Sequence, residues 1–329
     1  MAHIKLSLII LMPVLLISGC MQMEDADKNN ILSEDISISP DDQYILFSFY
    51  KNNISAIYRA DIDGKNVKQL TFPKNESHLG ARYSPDGQKI LFLAFPQHSG
   101  KPQSYLYLMD ADGANIKQMT TGEQHITEAI FSPNGKTIFF MRSGFFGHYS
   151  PIVGSRPHEF DVFLINIDSS NLKRITEMND YEMRGLSITS DGKSLLFGTG
   201  SSKEPPFHFL SLENLKQISS FTPVGNFGSD LFYNPRLSPN NELIAFSAVS
   251  KSAKPGYRYE LYLMDAKSKS GVRQVTNLES YVGKYCFFNK QNKLLFIQDL
   301  NWPEDPPIYQ LMSINTDGTN LMKINLDIP

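Results

Sequence analysis

The 329-residue sequence has only two cysteines, Cys20 and Cys286, and one tryptophan, Trp302. Two cysteines exclude a small disulfide-stapled scaffold. The formal net charge of -3 gives no basic surplus, so a nucleic-acid partner is not expected. Glycine and proline are near average usage, which excludes collagen-like and low-complexity chains. A content of 41% hydrophobic residues is that of a globular protein.

The first nineteen residues are typical of a signal peptide. Lys5 precedes an apolar run from Leu6 to Ile17, which is shorter than the roughly 20 residues of a membrane-spanning helix. The run ends in Ser18-Gly19-Cys20, which resembles the lipobox of bacterial lipoproteins. That resemblance implies cleavage before Cys20, lipidation of its thiol and a membrane anchor. An ordinary secretory signal and a membrane-spanning anchor remain alternatives.

The remainder of the chain is built from a repeat with two halves. The first half contains the turn Ser84-Pro85-Asp86-Gly87 between two apolar runs, A before it and B after it. The second half contains Leu106-Tyr107-Leu108-Met109 (run C), a turn at Asp110-Ala111-Asp112-Gly113, and a run D that ends at Thr120. The first half begins anew near residues 39, 84, 132, 189, 238 and 288.

The four runs of each repeat are predicted strands. They are short and rich in Ile, Leu, Phe, Tyr and Val, and the residues between them are turn formers. The B runs are apolar throughout, so both of their faces should be buried. Four-stranded repeats buried on both faces are typical of propeller blades. The sequence therefore predicts an all-β, six-bladed β-propeller over residues 34–329, after a tether over residues 20–33.

The repeat resembles that of the TolB-like, WD-repeat-like family of bacterial β-propellers. The resemblance covers nearly all of the chain beyond the tether and is specific for the fold. It implies little about function, because similar propellers scaffold periplasmic complexes, cap peptidases and occur in oligogalacturonate lyases. The sequence lacks the separate N-terminal α/β domain of TolB itself, so the same role in the envelope is not implied.

Motifs for catalysis are absent or incomplete. Gly135-Lys136-Thr137 and Gly192-Lys193-Ser194 resemble the end of a P-loop, but Ile130 and Ser187 stand where the first glycine is required. The turn Asp61-Ile62-Asp63-Gly64 departs from a calcium loop because its glycine comes too early. We therefore predict no catalytic residue, no metal ligand and no cofactor.

In a propeller the D–A and B–C connections share one face, here called the loop face, and the A–B and C–D turns share the other, the turn face. The B–C connections are long and variable, and the longest is expected over residues 142–161. Binding residues concentrate on such loops. The predicted binding residues are Phe145, Phe146, His148, Tyr149, Arg156, His158 and Trp302. A polar site at the mouth is predicted at His78, His125, Glu182 and Arg184.

Two functions fit these residues. The first is a non-catalytic, periplasm-facing lipoprotein that binds a protein or glycan of the cell envelope through the loop face. Met21, rather than Asp, follows Cys20, which favours the outer membrane among lipoproteins of enteric type. The alternative is a metal-dependent oligosaccharide lyase or hydrolase with a His/Arg site at the mouth. The absence of a nucleophile motif favours the first function. As a further alternative, the longest loop fills the central tunnel of the propeller and binds no partner.

Overall fold

The structure, a computed structural model, describes residues 30–97, 100–122, 125–148, 154–200, 205–252 and 256–328. These residues form 24 strands, which follow each other in groups of four. In every group the strands pair antiparallel with their sequence neighbours, so each group is one blade. A single parallel pair, Tyr259 with Tyr281, also joins blades five and six into one hydrogen-bonded sheet.

Each blade consists of strands A to D in chain order. The A strands, which pack against each other around the axis, are β1 (Ile31–Ile38), β5 (Glu76–Tyr83), β9 (His125–Phe131), β13 (Met183–Ile188), β17 (Phe232–Leu237) and β21 (Tyr281–Phe287). The B strands are β2 (Tyr44–Lys51), β6 (Lys89–Pro96), β10 (Thr137–Gly147), β14 (Ser194–Thr199), β18 (Leu243–Val249) and β22 (Lys293–Asp299).

The D strands, at the outer rim, are the shortest strands of each blade. The C strands are β3 (Ile54–Asp61), β7 (Tyr105–Asp110), β11 (Arg156–Asn166), β15 (Phe207–Ser211), β19 (Tyr259–Asp265) and β23 (Tyr309–Asn315). The D strands are β4 (Lys68–Gln69), β8 (Lys117–Gln118), β12 (Lys173–Arg174), β16 (Ile218–Phe221), β20 (Arg273–Gln274) and β24 (Met322–Ile324). None of the described residues forms a helix long and apolar enough to cross a membrane.

The core lies between the blades. In β6, Ile90, Leu91 and Phe92 are all fully buried, although neighbouring residues of a strand point to opposite faces. Each blade therefore buries both faces against its neighbours, as the continuous apolar B runs predict. The ring is closed by β1, which packs against β21 and β23 of the last blade.

The A–B turns are fixed by local hydrogen bonds. In blade two, the Ser84 Oγ donates to Asp86 Oδ1 over 2.5 Å and accepts a hydrogen bond from the backbone N–H of Lys89 over 2.9 Å. Gly87 has a φ of +71°, which glycine adopts without steric cost. These contacts occupy the polar atoms of the turn, so the predicted structural role of the turn face is supported.

Two predicted boundaries were wrong. Strand β1 begins at Ile31, so the last three residues of the predicted tether belong to the first blade. The predicted loop over residues 142–161 is largely a hairpin, in which β10 and β11 continue pairing as far as Gly147 and Arg156. The extension is favoured because aromatic side chains meet across the strands: the rings of Phe145 and His158 have centroids 5.0 Å apart.

Candidate functional site

The predicted histidines do not form one polar site on exposed loops. His78 lies inside strand β5, His125 opens β9, and His158 lies inside β11, with exposed fractions of 5%, 7% and 6%. Buried imidazoles pack here against aromatic rings. The centroid of His78 lies 4.7 Å from that of Phe92.

His125 is packed edge-on between the rings of Phe95 and Phe160, at 6.3 Å and 6.4 Å. Burial lowers the pKa of His125 to about 4, so its ring is neutral at pH 7. His78 instead lies 2.9 Å from Glu76 Oε1 through its Nε2. Among the described residues, no group of three or more His, Cys, Asp or Glu side chains is placed to hold a metal ion.

The hairpin of blade three carries the predicted contact residues. Phe145 is 52% exposed at the loop face, whereas Phe146 is half-buried. The Arg156 guanidinium lies 5.6 Å from the ring centre of Tyr181, in the connection that leads to blade four. His148 is exposed beyond the last strand pair, and Tyr149 lies outside the described residues.

The predicted residues Glu182, Arg184 and Trp302 do meet in a larger group at the loop-face mouth. Side chains of blades four, five, six and one contribute to this group, which we call the mouth cluster. Its members are Glu34, Glu182, Arg184, Tyr233, Tyr259, Tyr281, Trp302 and Tyr309.

One side of the mouth cluster combines a charge pair with an aromatic ring. Arg184 forms an ion pair with Glu182, and its guanidinium lies 4.3 Å from the ring centre of Tyr233. Such stacking is favourable because the face of an aromatic ring is electron-rich. Glu182 Oε1 and Arg184 Nε are buried and have no hydrogen-bond partner among the described residues. Both atoms are closed off from solvent.

Successive aromatic rings connect this pair to blade six. The centroid of Tyr259 lies 5.5 Å from that of Tyr233 and 5.5 Å from that of Tyr281, and Tyr281 lies 5.0 Å from Trp302. Trp302 is held by its Nε1, which donates to the carbonyl oxygen of Tyr257 over 2.5 Å. Tyr259 is fully buried, whereas Tyr233, Tyr281 and Trp302 are partly exposed. These partly exposed, rigidly held rings offer contact area at little cost in conformational entropy.

The far side of the cluster contains a buried carboxyl group. The Tyr309 hydroxyl donates to Glu34 Oε1 over 2.9 Å. Burial raises the pKa of Glu34, and the positive charge of the nearby Lys284 offsets this increase only in part. A Cβ atom at Gly283 would lie 3.1 Å from Glu34 Oε2, so a glycine at this position leaves room for the carboxyl group.

Sequence reasoning missed Glu34 and all four tyrosines of the mouth cluster. A usable signal was present, because Tyr259, Tyr281 and Tyr309 each open a strand at the loop face. Burial raises the pKa of all four tyrosines, so their hydroxyl groups stay protonated at neutral pH. The mouth thus presents rings, hydroxyl donors and a charge pair, a set of groups suited to binding.

Comparison with known proteins agrees with the fold. A family model described as the TolB beta propeller domain matches residues 28–149. An uncharacterized protein of Agrobacterium fabrum is 26% identical over 114 residues, which cover 32% of this chain and 38% of that protein.

Two solved structures are similar over most of the chain. TolB from Acinetobacter baumannii has a TM-score of 0.63 at 18% identity, covering 91% of this chain and 64% of that one. An oligogalacturonate lyase in complex with manganese has a TM-score of 0.60 at 12% identity, covering 90% of this chain and 77% of that one. The chain thus spans less than two thirds of both the Agrobacterium protein and TolB. Identities this low show the fold alone.

Proposed function

We propose that this TolB-like β-propeller is a non-catalytic binding protein of the cell envelope, which captures a protein or glycan partner at its loop face. The observation that carries the proposal is the mouth cluster. Four blades contribute to it, and it combines partly exposed aromatic rings with the Glu182–Arg184 ion pair.

The distribution of exposed apolar side chains supports the loop face as the contact surface. Phe145 and Tyr257 are 52% and 48% exposed, and both lie beside B–C connections. Aromatic residues and arginine are the usual anchors of interfaces. Phe145 and Tyr257 supply apolar contact area, and the Glu182–Arg184 pair supplies charged groups that can fix the orientation of a partner. Protein and glycan partners both require this combination.

The location proposed for the protein rests on its first residues, which lie outside the described ranges. We propose that Cys20 is lipidated and that the propeller faces the periplasm, at the outer membrane. The strand β1 begins at Ile31, so about ten residues separate the anchor from the first blade. A free segment of that length reaches at most about 35 Å, which keeps the propeller close to the membrane.

A photo-crosslinking amino acid placed at single positions tests the contact surface. Substitution of Phe145 or Tyr257 places the probe on the loop face. Leu172 and Ile116, which are 51% and 47% exposed in C–D turns, are matched controls on the turn face. Irradiated cells should give one specific adduct from the loop-face probes and none from the controls. Equal labelling from both faces would contradict the proposal.

The alternative of a metal-dependent oligosaccharide lyase or hydrolase gains no specific support from the described residues. Its predicted His/Arg site requires histidines beside the charge pair. The structure places His78 against Phe92, and His125 between Phe95 and Phe160, within blades two and three. Metal-dependent cleavage of an acidic oligosaccharide by the purified protein would nevertheless overturn the non-catalytic proposal.

A further inference from the structure

A second group of charged side chains lies deeper in the ring, on the strands nearest the axis. Five A strands contribute one charged residue each, and we call this group the axial cluster. Its members are Asp35 on β1, Arg82 on β5, Glu128 on β9, Arg236 on β17 and Lys284 on β21. The cluster contains three cations and two carboxylates, and its charges do not balance.

The two carboxylates are already committed to two of the cations. Lys284 Nζ lies 2.7 Å from Asp35 Oδ1, and Arg236 forms an ion pair with Glu128. Glu128 also accepts hydrogen bonds from the backbone N–H groups of Gly185 and Leu186, at 3.0 Å and 3.2 Å. These cations keep the pKa values of Asp35 and Glu128 low despite burial, so both carboxylates are ionised at neutral pH.

Arg82 is the cation without its own counter-charge. Its Nη1 donates to the carbonyl oxygens of Ile36 and Ala81, at 2.7 Å and 3.2 Å. Its Nε and Nη2 have no hydrogen-bond partner among the described residues, and the side chain is only half-buried. Burial and the positive charge of Arg236 lower the pKa of Arg82. The negative charges of Glu128 and Asp35 raise this pKa but offset the lowering only in part.

Glu34 and Cys286 are further titratable groups near the cluster, and neither forms an ion pair with Arg82 in the described part of the chain. Burial raises the pKa of Glu34, whose Oε1 already accepts the Tyr309 hydroxyl. Burial also raises the pKa of the Cys286 thiol to about 12, so it is neutral at pH 7. A guanidinium remains charged at every physiological pH, so Arg82 keeps a positive charge that no carboxylate of the described residues pairs with directly.

We propose that the axial cluster binds a small free oxyanion, such as a phosphate or a carboxylate, on the Arg82 guanidinium. The planar fork of arginine matches two oxygen atoms of such an ion. Solvent contact at the half-buried Arg82 gives the ion access. The axial cluster and the mouth cluster are different residues, so this proposal stands independently of the proposed function.

Thermal unfolding in phosphate, with chloride at equal ionic strength as the reference, tests the site. In the wild type, phosphate at about ten times its Kd should raise Tm by about 2 °C. R82Q should weaken the apparent affinity about tenfold or more. R273Q, which removes an exposed arginine from strand β20, should respond like the wild type. An acetate series at the same ionic strength distinguishes a carboxylate from a phosphate preference.

R82K provides a second test if R82Q fails to fold, because lysine keeps the charge and loses the fork. We expect R82K to respond to phosphate more weakly than the wild type. Calorimetric titration of the wild type should give one phosphate per chain. A wild type whose Tm is the same in phosphate and chloride, or a response that R82Q and R82K leave unchanged, would overturn the proposal.

Discussion

At the scale of single residues, burial sets the titration of two histidines. His208 lies in strand β15, with its Nε2 3.1 Å from Thr199 Oγ1 and its Nδ1 2.7 Å from Ser220 Oγ. Burial lowers the pKa of His208 to about 4, as it does for His125. An unfolded histidine titrates near 6.5, so the unfolded chain takes up protons first as the pH falls. As far as these two histidines determine it, the free energy of unfolding should therefore be highest above about pH 6.5 and decrease towards pH 4.

Replacement of His208 by glutamine should reduce this loss of stability. Between pH 7 and pH 4.5, the free energy of unfolding of H208Q should fall by about 1–2 kcal/mol less than that of the wild type. Urea unfolding at the two pH values measures the difference. L172Q introduces the same side chain at an exposed position without removing an imidazole, and it should keep the wild-type dependence. Identical losses in H208Q and the wild type would show that His208 is not the titrating group.

Burial also determines the chemistry of Cys286. Its thiol is free, and its pKa of about 12 leaves very little thiolate at pH 8. Because the thiolate is the reactive form, we expect alkylation in the folded protein to be about a thousandfold slower than in urea. Mass spectrometry after timed exposure to iodoacetamide measures both rates. Comparable rates in the two conditions would mean that the interior at β21 opens readily.

At the scale of elements, local chemistry was predictable and long-range pairing was not. The A–B turns depend on residues close in sequence, such as Ser84 and Asp86, so the repeat alone predicts them. The hairpin of blade three depends on Phe145 meeting His158, which the sequence pattern does not specify. The mouth cluster depends on bringing Glu34 to Tyr309 across the closed ring, and no spacing along the chain encodes that contact.

The first A–B turn differs from the others because it also joins the two ends of the ring. Asp42 has a φ of +61°, and its carboxylate accepts the backbone N–H groups of Asn289 and Lys290, both at 2.7 Å. Glycine at this position would relieve the backbone but remove these two hydrogen bonds and a third, which Asn289 Nδ2 donates to Asp42 Oδ1 over 3.1 Å. We expect D42G to lower the free energy of unfolding by about 2–3 kcal/mol, since hydrogen bonds to a charged group are strong.

Asn241 provides the matched comparison for Asp42. It stands at the equivalent position of blade five with a φ of +60°. Its half-buried side chain donates to Ser190 Oγ over 2.6 Å and accepts the backbone N–H of Ser190 over 3.0 Å. Chemical unfolding should show a smaller loss for N241G than for D42G, because the lost hydrogen bonds are solvent-exposed and join neutral groups. An equal loss in both variants would indicate that turn conformation, rather than closure of the ring, determines the cost.

At the scale of the whole molecule, the fold prediction is confirmed, because the described residues form six four-stranded antiparallel blades and solved TolB has a similar fold. The prediction succeeded because each blade has the same turns and the same buried B strand, so six copies reinforce one pattern. Both ends contribute to closure: β1 packs against blade six, and the N–H of Asp327 donates to the carbonyl oxygen of Gly64 in blade one over 3.1 Å. The binding faces have no such repetition, which is why the mouth cluster was only partly predicted.

We predict that attachment of the whole molecule to a membrane depends on a single thiol. If Cys20 carries the lipid anchor, C20A should move the protein from the membrane fraction to the soluble fraction, because the described residues include no membrane-spanning helix. C286A is the matched control, since it removes a thiol from the propeller and leaves the lipobox intact. Fractionation followed by immunoblotting, with C286A remaining in the membrane fraction, would support the anchor. Membrane association of C20A equal to that of the wild type would exclude lipidation as the means of attachment.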